Sequence, residues 1–178
     1  ANPDLIIGWK STFASVLKKP TAWWNERGVR TYVVSTSNHL HDKGRIEDEC
    51  RYLDDMGQIF DVREKTDRMI REIHDELSRT QKLVKGRASQ AVMVVEPEGK
   101  AFYNYDNGWV VGDMVEQLGG YMPAGERRIG YEDLISYNPD VLFVVYFNEE
   151  QRLQIIELFR CAEFSSLKSV KNQRVYPI

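Results

Sequence analysis

The sequence predicts an α/β protein of two lobes, each with a parallel sheet, joined by a long helix, with the first lobe incomplete. Three observations lead to this fold class. Short apolar runs alternate with segments of helical period, which is the order of elements found in parallel sheets covered by helices. A turn followed by a buried strand occurs twice, and one long stretch of helical period separates the two copies.

The first lobe is predicted from three short segments. Asp4–Trp9 (DLIIGW) is an apolar run after a proline turn, which favours a buried parallel strand. Residues 20–27 begin with a proline and end before a glycine, as helices often do. Thr31–Ser35 (TYVVS) is rich in β-branched and aromatic residues and is predicted as a second strand. We therefore assign residues 1–42 to a partial N-terminal lobe.

The connecting segment, residues 43–85, has apolar side chains at intervals of three and four, which predicts helices. We expect a helix over residues 45–56, a break near Gly57, and a longer helix over residues 62–83. At 1.5 Å per residue the longer helix would measure ~33 Å, about the width of a small domain. Its single apolar stripe indicates a backbone helix laid across folded lobes, with an ordinary surface helix or coiled-coil arm as the alternative.

The second lobe, residues 86–178, returns to the alternation of strands and helices, which indicates another parallel sheet. Residues 101–105 (AFYNY) lead into a loop, and Gly119-Gly120 end a short helix. The predicted strands are Gln90–Glu96, Asp140–Phe147 and Arg174–Pro177, and the predicted helices are Asp113–Leu118, Tyr131–Tyr137 and Glu149–Cys161.

An internal repeat relates the two lobes. Asn2–Ile7 (NPDLII) and Asn138–Phe143 (NPDVLF) are each a proline turn followed by an apolar strand, and each is followed by a helix and then a strand. In the second lobe this unit is preceded by a strand and two short helices over residues 90–137. The first lobe has no counterpart of them in this chain, so we expect part of its sheet to be missing. A strand left without its neighbour tends to pair with another chain, which predicts self-association through the first lobe.

Composition excludes several classes of function. The formal net charge of −3, with both signs interspersed, is too small to predict a nucleic-acid partner. No apolar run approaches the ~18 residues of a membrane span. No leader opens the chain, so any secretory signal is expected to lie outside it. Cys50 and Cys161 form neither a metal-binding spacing nor a disulfide framework.

Catalytic and metal-binding motifs are absent from the sequence. It contains no G-x-S-x-G, P-loop, H-E-x-x-H or complete G-x-G-x-x-G motif, and its carboxylates are scattered over helix faces. His39 and His41 form an H-x-H pair, but no third ligand is evident nearby, so we assign them to a solvated loop. The sequence therefore predicts a protein that is not an enzyme and holds no metal or cofactor of its own.

Four segments in register carry a resemblance to a known family. NPDLIIGW…W..RGVRTYVV with IEDECRYLDDMGQIF resembles the first lobe and connecting helix of the helical-backbone substrate-binding proteins of ABC importers for ferric siderophores, haem and cobalamin. GWVVGDMVEQLGG, YEDLISYNPDVLFV and FSSLKSVKNQRVYPI resemble the second lobe. The resemblance implies an extracytoplasmic protein, periplasmic or anchored as a lipoprotein, that binds a metal chelate between its lobes and delivers it to a permease. It also implies opening strands, and a helix after Ile178, outside this chain.

Candidate ligand contacts lie at strand ends and in the loops that follow, where open α/β sheets bind ligands. Aromatic rings there would stack on catecholate or corrin faces, and guanidinium groups would favour an anionic ferric chelate. The alternatives are aromatic residues that anchor a loop and cations that are simply solvated. The predicted ligand-binding residues are Trp9, Lys10, Tyr103, Tyr105, Trp109, Arg127, Arg128, Tyr146 and Asn148.

Glu132 is the candidate contact with the permease. It lies in the first turn of a predicted helix, where a carboxylate complements the helix dipole. In the resembling family, a glutamate at this place on each lobe forms salt bridges with arginines of the importer. The corresponding region of the first lobe holds Lys18, Lys19 and Thr21, so only one acidic docking residue is predicted.

Two other functions are compatible with the same fold, because fold does not determine function. One is an enzyme or metal-cofactor assembly protein, which would place cysteine or histidine ligands at the cleft. The other is a ligand-sensing module that docks on a signalling receptor. The delivery of a chelate to an importer is the function that the sequence favours.

Overall fold

A computed structural model describes residues 3–34 and 43–178 of the chain. His39 and His41 lie outside the described residues. The chain divides into two compact units, Ala1–Glu72 and Ile73–Ile178. None of the helices that the structure describes is long and apolar enough to cross a membrane.

The first unit contains a parallel pair of strands, β1 (Leu5–Gly8) and β2 (Arg30–Val33), in a register that aligns Gly8 with Val33. A π-helix, Thr12–Val16, follows β1, and the short helix α1, Thr21–Asn25, precedes β2. Both predicted strands and the predicted helix are confirmed. The π-helix was not predicted, because five residues with one buried side chain, Phe13, show no clear period.

Two further helices follow, α2 (Ile46–Ile59) and α3 (Arg63–Val84). The predicted break between the two helices is present, but it lies between Ile59 and Arg63, a few residues after Gly57, because α2 continues through this glycine. A side chain at Gly57 would collide with the Thr66 hydroxyl oxygen, so the glycine allows the two helices to approach closely. The chain turns instead at Asp61, whose φ is 54°.

Helix α3 has 22 residues, and the boundary between the two units falls within it. Its exposed faces are held by ion pairs one turn apart, such as Arg79 with Glu76 at 2.7 Å. Thr66 is its one buried residue. The predicted long helix is confirmed, and the lobe boundaries assigned from the sequence remain predictions.

The second unit is built on a five-stranded sheet in the order β5-β4-β3-β6-β7. Strands β3, β6 and β7 are parallel to one another, whereas β4 and β5 are antiparallel additions, so the sheet is mixed and not wholly parallel. The hairpin between β3 and β4 turns at Gly99, with φ 65°. The strands are β3 Val92–Glu98, β4 Ala101–Asn104, β5 Arg128–Gly130, β6 Val141–Val144 and β7 Val175–Pro177.

Helices cover this sheet, and the three predicted ones are present, although the first begins at Val110 and not at Asp113, and the helix Lys168–Lys171 was not predicted. The segment Ala162–Phe164 is a short 3₁₀-helix that was not predicted. The helices are α4 Val110–Gln117, α5 Tyr131–Tyr137, α6 Glu149–Arg160 and α7 Lys168–Lys171.

The core of the second unit lies between the sheet and helices α5 to α7. Phe102 and Phe164 are fully buried, with ring centroids 6.3 Å apart, and Leu134 and Leu142 fill the space around them. Burying such side chains supplies most of the stability of a unit of this size. Strand β6 is paired with β3 on one edge and with β7 on the other and is largely buried, as its apolar run predicted.

The turn before β6 shows what the repeated Asn-Pro-Asp motif does. Asn138 ends α5 in the left-handed conformation, φ 47°, and its side-chain oxygen accepts a hydrogen bond from the Lys168 backbone N–H at 2.9 Å. The carboxylate of Asp140 accepts a hydrogen bond from the Ala91 backbone N–H at 2.9 Å. The motif therefore ties the start of β6 to the start of β3 and to α7.

Candidate functional site

Three aromatic side chains of the second unit form a cluster at the end of β4 and in the loop that follows it. The ring centroids of Tyr103 and Tyr105 are 5.1 Å apart, and Trp109 lies 5.7 Å from Tyr105 and 6.4 Å from Tyr103, all edge to face. Residues 102 and 104, which alternate with the tyrosines, are buried, whereas the three rings are half-buried. The strand period therefore sends Phe102 into the core and the tyrosines to the opposite face. We name Tyr103, Tyr105 and Trp109 the aromatic cluster.

The loop that carries Trp109 is shaped by local hydrogen bonds. The Asp106 carboxylate accepts one from the Gly108 backbone N–H at 2.7 Å, and the Asp106 carbonyl accepts one from the Trp109 N–H at 3.1 Å. Trp109 is then the N-cap residue of α4. A side chain at Gly112 would collide with the backbone of Asn107, so this glycine is required for the loop to fold against its helix.

Tyr105 is linked to a carboxylate that the sequence did not single out. Its hydroxyl group donates a hydrogen bond to Glu96 Oε2 at 2.8 Å. Burial, followed by the hydrogen bond to Glu96 and the charges of Glu96 and Tyr103, raises the pKa of Tyr105 to about 12. At physiological pH the side chain is therefore a neutral phenol. The clue to Glu96 was its place at the end of an apolar strand, where a carboxylate is unexpected.

Glu96 also lines a cavity of about 330 Å³ within the second unit. The Tyr131 ring, the Phe147 ring and the apolar side chain of Ile155 form its apolar walls, and Gln151 contributes an amide. The Gln151 side-chain oxygen accepts a hydrogen bond from the Phe147 backbone N–H at 2.7 Å. The volume lies within the range of small-molecule sites. Glu96 thus contacts both the aromatic cluster and this cavity.

The arginine pair lies in and beside strand β5. Arg128 forms an exposed salt bridge with Glu98, with Nε 3.0 Å from the carboxylate oxygen. Arg127 is exposed, and its carbonyl accepts a hydrogen bond from the Asn104 N–H at 2.8 Å. The buried Asn104 side chain donates to the carbonyls of Glu126 and Ala124, at 2.9 and 3.3 Å. Asn104, which the sequence did not single out, therefore anchors the segment that carries both arginines.

Tyr146 and Asn148 both have structural partners. Asn148 is the N-cap of α6, where its side-chain oxygen accepts a hydrogen bond from the Gln151 backbone N–H at 2.9 Å. Tyr146 packs partly against the core, and its backbone N–H donates to the Ile178 carbonyl at 3.0 Å. Their contact with a ligand remains a prediction.

In the first unit, Trp9 and Lys10 follow β1 as predicted and are exposed. The Trp9 side chain is 61% exposed, and its backbone N–H donates to the Thr12 hydroxyl at 3.1 Å. The Thr12 side chain therefore fixes the turn from which Trp9 and Lys10 project. Ligand contact by Trp9 and Lys10 also remains a prediction.

Glu132 is exposed in the first turn of α5. The neighbouring carboxylate, Asp133, accepts the hydrogen bond from the Gly130 backbone N–H at 2.7 Å and so closes the helix start. Among the residues that the structure describes, none forms a hydrogen bond or ion pair with the Glu132 carboxylate. The helix start is therefore closed by Asp133, and the docking role of Glu132 remains a prediction.

The chain belongs to the periplasmic binding protein family, whose model matches residues 1–178. This family consists of binding proteins, as the sequence predicted. No curated protein sequence matches the chain.

Several solved structures share the fold. A periplasmic binding protein from Veillonella parvula has a TM-score of 0.83 and 23% identity, over 99% of this chain and 57% of that chain. The periplasmic catecholate-siderophore binding protein of Vibrio cholerae has a TM-score of 0.75 and 15% identity, over 99% and 63% of the two chains. The iron-uptake system-binding protein of Bacillus subtilis has a TM-score of 0.74 and 18% identity, over 99% and 63%. These neighbours confirm the predicted α/β fold, and the chain spans less than two thirds of their length.

Proposed function

We propose that this protein is the extracytoplasmic solute-binding component of an ABC importer, and that it binds a ferric siderophore or a related metal chelate and delivers it to the permease. Membership of the periplasmic binding protein family supports the solute-binding role. Solved structures with the same fold include proteins that bind a catecholate siderophore, haem and a ferric acinetobactin complex. The proposal involves no chemical step on the ligand.

The observation that carries the proposal is the aromatic cluster. Three rings with centroids within 6.4 Å of one another form an apolar surface at the end of β4 and in the loop after it, and two of them bear hydroxyl groups. Such a surface suits a flat ligand with polar edges, because aromatic rings stack while their hydroxyl groups form hydrogen bonds. The Tyr105 hydroxyl group donates its one proton to Glu96, so it offers a ligand its ring face and an oxygen that can accept a hydrogen bond.

Charge gives the site its preference among ligands. A ferric tris-catecholate is an anion, and Arg127, Arg128 and Lys10 would supply cations to it. The salt bridge between Arg128 and Glu98 is exposed on both sides, so exchanging Glu98 for a ligand costs little. Haem and cobalamin offer flat rings with less negative charge, so we place them behind ferric catecholates.

Delivery is assigned to Glu132. Asp133 caps the start of α5, so the exposed Glu132 carboxylate is available to a cationic partner. The proposed partner is the permease of the importer. The same proposal places the protein outside the cytoplasm, in a periplasm or on a lipid anchor, and includes self-association of this chain through β1.

A panel titration tests the function. Ferric tris-catecholate, ferric hydroxamate, haem and cobalamin are each added to the purified full-length protein, and quenching of tryptophan emission is followed. We expect saturable quenching, strongest with the ferric catecholate, and weaker binding in Tyr103→Ala. Free tryptophan titrated with the same ligand is the matched control for absorption of light by that ligand. Absence of saturable binding by all four ligands would refute the proposal.

A further inference from the structure

Positively charged side chains lie together at one end of the sheet in the second unit, where the parallel strands β3, β6 and β7 begin. Four of them are exposed, and Arg174 is half-buried. We name this set of side chains the basic end. Its members are Lys85, Arg87, Lys168, Lys171 and Arg174.

Contacts around Gln90 and Ala91, just before β3, hold the basic end together. The Arg174 guanidinium group donates a hydrogen bond to Gln90 Oε1 at 2.7 Å. The Asp140 carboxylate accepts a hydrogen bond from the Ala91 backbone N–H at 2.9 Å, and its other oxygen lies 3.6 Å from Lys168 Nζ. Segments that are far apart in the sequence therefore meet at this end of the sheet.

The other cations of the basic end lie on the same segments. Lys85 and Arg87 belong to the turn between α3 and β3, which depends on Gly86 with φ 79°. Lys171 lies in the last turn of α7, three residues after Lys168. A helix dipole favours a cation at Lys171, but it does not account for Arg87, which lies outside any helix.

The charge of the basic end contrasts with that of the chain, whose formal net charge is −3. Residues 85–91 and 168–174 contain no carboxylate. The neighbouring segments supply Asp140, which already forms an ion pair, and Glu116 in the last turn of α4. Two carboxylates do not balance five cations, so the potential at this end is positive.

We infer that the basic end binds a linear polymer of phosphate groups. Its cations are exposed and come from separate segments, so an extended polyanion can contact several of them at once, whereas a single small anion cannot. Lysine and arginine side chains bind phosphate through charge and hydrogen bonds, and each contact releases counterions from the polymer. None of the proposed chelate contacts belongs to the basic end.

The position of Glu132 favours a polymer over an anionic bilayer as the partner. Glu132 lies in the first turn of α5, whereas Asn138, which ends this helix, accepts a hydrogen bond from the Lys168 backbone N–H at the basic end. A protein docked on its permease through Glu132 would therefore present the basic end away from the membrane. This choice of partner rests on the proposed docking role of Glu132, but the positive charge of the basic end does not.

Fluorescence anisotropy of a labelled linear polyphosphate, titrated with the full-length protein, tests this inference. We expect saturable binding at low salt. On logarithmic axes the affinity should fall with salt by about 0.7 per phosphate contacted, as it does for flexible single strands. Lys85→Gln combined with Lys171→Gln removes two of the cations, so it should weaken binding roughly tenfold and reduce this slope by about 1.4. A smaller slope reports lost charge contacts, which a merely structural effect would not produce.

Lys65→Gln combined with Lys100→Gln is the matched control, because it removes two exposed lysines outside the basic end and should leave affinity and slope unchanged. Circular dichroism and the thermal midpoint establish that each variant is folded. Absence of saturable polyphosphate binding, or an unchanged slope in the folded Lys85→Gln/Lys171→Gln protein, would overturn the inference.

Two further ligands test the choice of a polymer. Inorganic phosphate that competes equally at the same phosphate concentration, or phosphatidylglycerol vesicles that bind more tightly than polyphosphate, would overturn the polymer as the partner. Chelate binding is measured separately in the siderophore panel and should be unchanged in Lys85→Gln/Lys171→Gln. A protein that binds polyphosphate but none of the four chelates would refute the proposed function and leave this inference standing.

Discussion

Tyr105 donates a hydrogen bond to Glu96 at 2.8 Å, and this contact joins the aromatic cluster to the neighbouring cavity. In the antiparallel pair of β3 and β4, Glu96 is opposite Tyr103, and Tyr105 lies two positions further along the chain, just beyond the end of β4. A phenol held in this way keeps its ring in a fixed orientation. A ligand that stacks on the cluster would therefore meet a preorganised surface, which lowers the entropy lost on binding.

The first prediction concerns the ionisation of Tyr105. Its pKa is raised to about 12 by burial first and then by the hydrogen bond and charge of Glu96. Glu96→Gln removes the charge, so the pKa of Tyr105 should move down toward 10.0, its ordinary value. The measurement is tyrosinate absorbance as a function of pH, with Tyr105→Phe subtracted to isolate this residue. An unchanged titration curve in Glu96→Gln would contradict the assignment.

The same shift makes a second prediction, on stability. The folded protein binds the Tyr105 proton more tightly than the unfolded chain, whose tyrosine pKa is 10.0. The resulting stabilisation is therefore complete below pH 10 and is lost as pH rises from there through about 12. Denaturant unfolding across this range should show a steeper loss of stability in the native sequence than in Tyr105→Phe. Parallel curves for the two proteins would show that the raised pKa is wrong.

The third prediction concerns ligand binding by the tryptophans at the two proposed contacts. Trp109→Ala should weaken binding of a ferric catecholate by ~1–3 kcal/mol if the ring stacks on the ligand, as buried aromatic anchors do. Trp9→Ala should act in the same direction and should also reduce the quenching of emission. Tyr121→Ala, an exposed aromatic residue outside the cluster, is the matched control. Unchanged affinity in both tryptophan variants would remove them from the site.

The fourth prediction separates docking from helix stability. Glu132→Ala should leave chelate affinity and thermal stability unchanged while lowering ligand-driven ATPase activity of the partner importer. Asp133→Ala is the matched control, because it removes the carboxylate that accepts from the Gly130 N–H and should cost ~1 kcal/mol of stability. If transport is normal without Glu132, the residue has no docking role.

Much of the fold could be predicted because it depends on local patterns. The apolar run at residues 141–144 and the turn at Asn138 identify β6 and its preceding helix end, and both depend on neighbours in sequence. Strand β5 could not be predicted, because three residues with one buried side chain, Ile129, carry no period. Strand β5 forms by pairing with the free edge of β4, where Ile129 is opposite Phe102. This pairing depends on tertiary structure and not on a local sequence pattern.

The candidate site was predictable in part for the same reason. The sequence identified Tyr103, Tyr105 and Trp109 as neighbouring aromatic residues but assigned all three to a loop, whereas Tyr103 lies in β4 and Tyr105 directly after it. The roles of Glu96 and Asn104 depend on residues far along the chain, since Asn104 donates to carbonyls some twenty positions away. No local sequence pattern indicates a hydrogen-bond partner so far along the chain.

The fifth prediction tests the close approach of α2 and α3. Alanine favours helices more than glycine, so propensity alone would make Gly57→Ala stabilising by ~1 kcal/mol. The new methyl group would instead collide with the Thr66 hydroxyl, so we expect a net loss of ~1–3 kcal/mol, measured by denaturant unfolding. Adding Thr66→Ala should restore part of this loss. A Gly57→Ala protein more stable than the native one would show that the helices do not pack as described.

The last prediction is self-association through β1. Strand β1 pairs with β2 on one edge, and within residues 3–34 and 43–178 no strand pairs with its other edge. The Asp4 and Gly8 carbonyls accept hydrogen bonds from β2 residues, so by the alternation of a parallel ladder the backbone groups of Ile7 point to the open edge. An open edge with apolar side chains is a template for a second chain.

We therefore expect an association that dissociates on dilution, most simply a two-fold dimer, measured by light scattering across a concentration series. Ile7→Pro removes the N–H at the open edge without removing a bond to β2, so it should shift the protein toward monomer. Ile6→Pro is the matched control, because its N–H faces β2 and its loss should unfold the strand pair instead. A native protein that remains monomeric at high concentration would show that the open edge is not used, since an available edge should pair whenever a second copy is abundant.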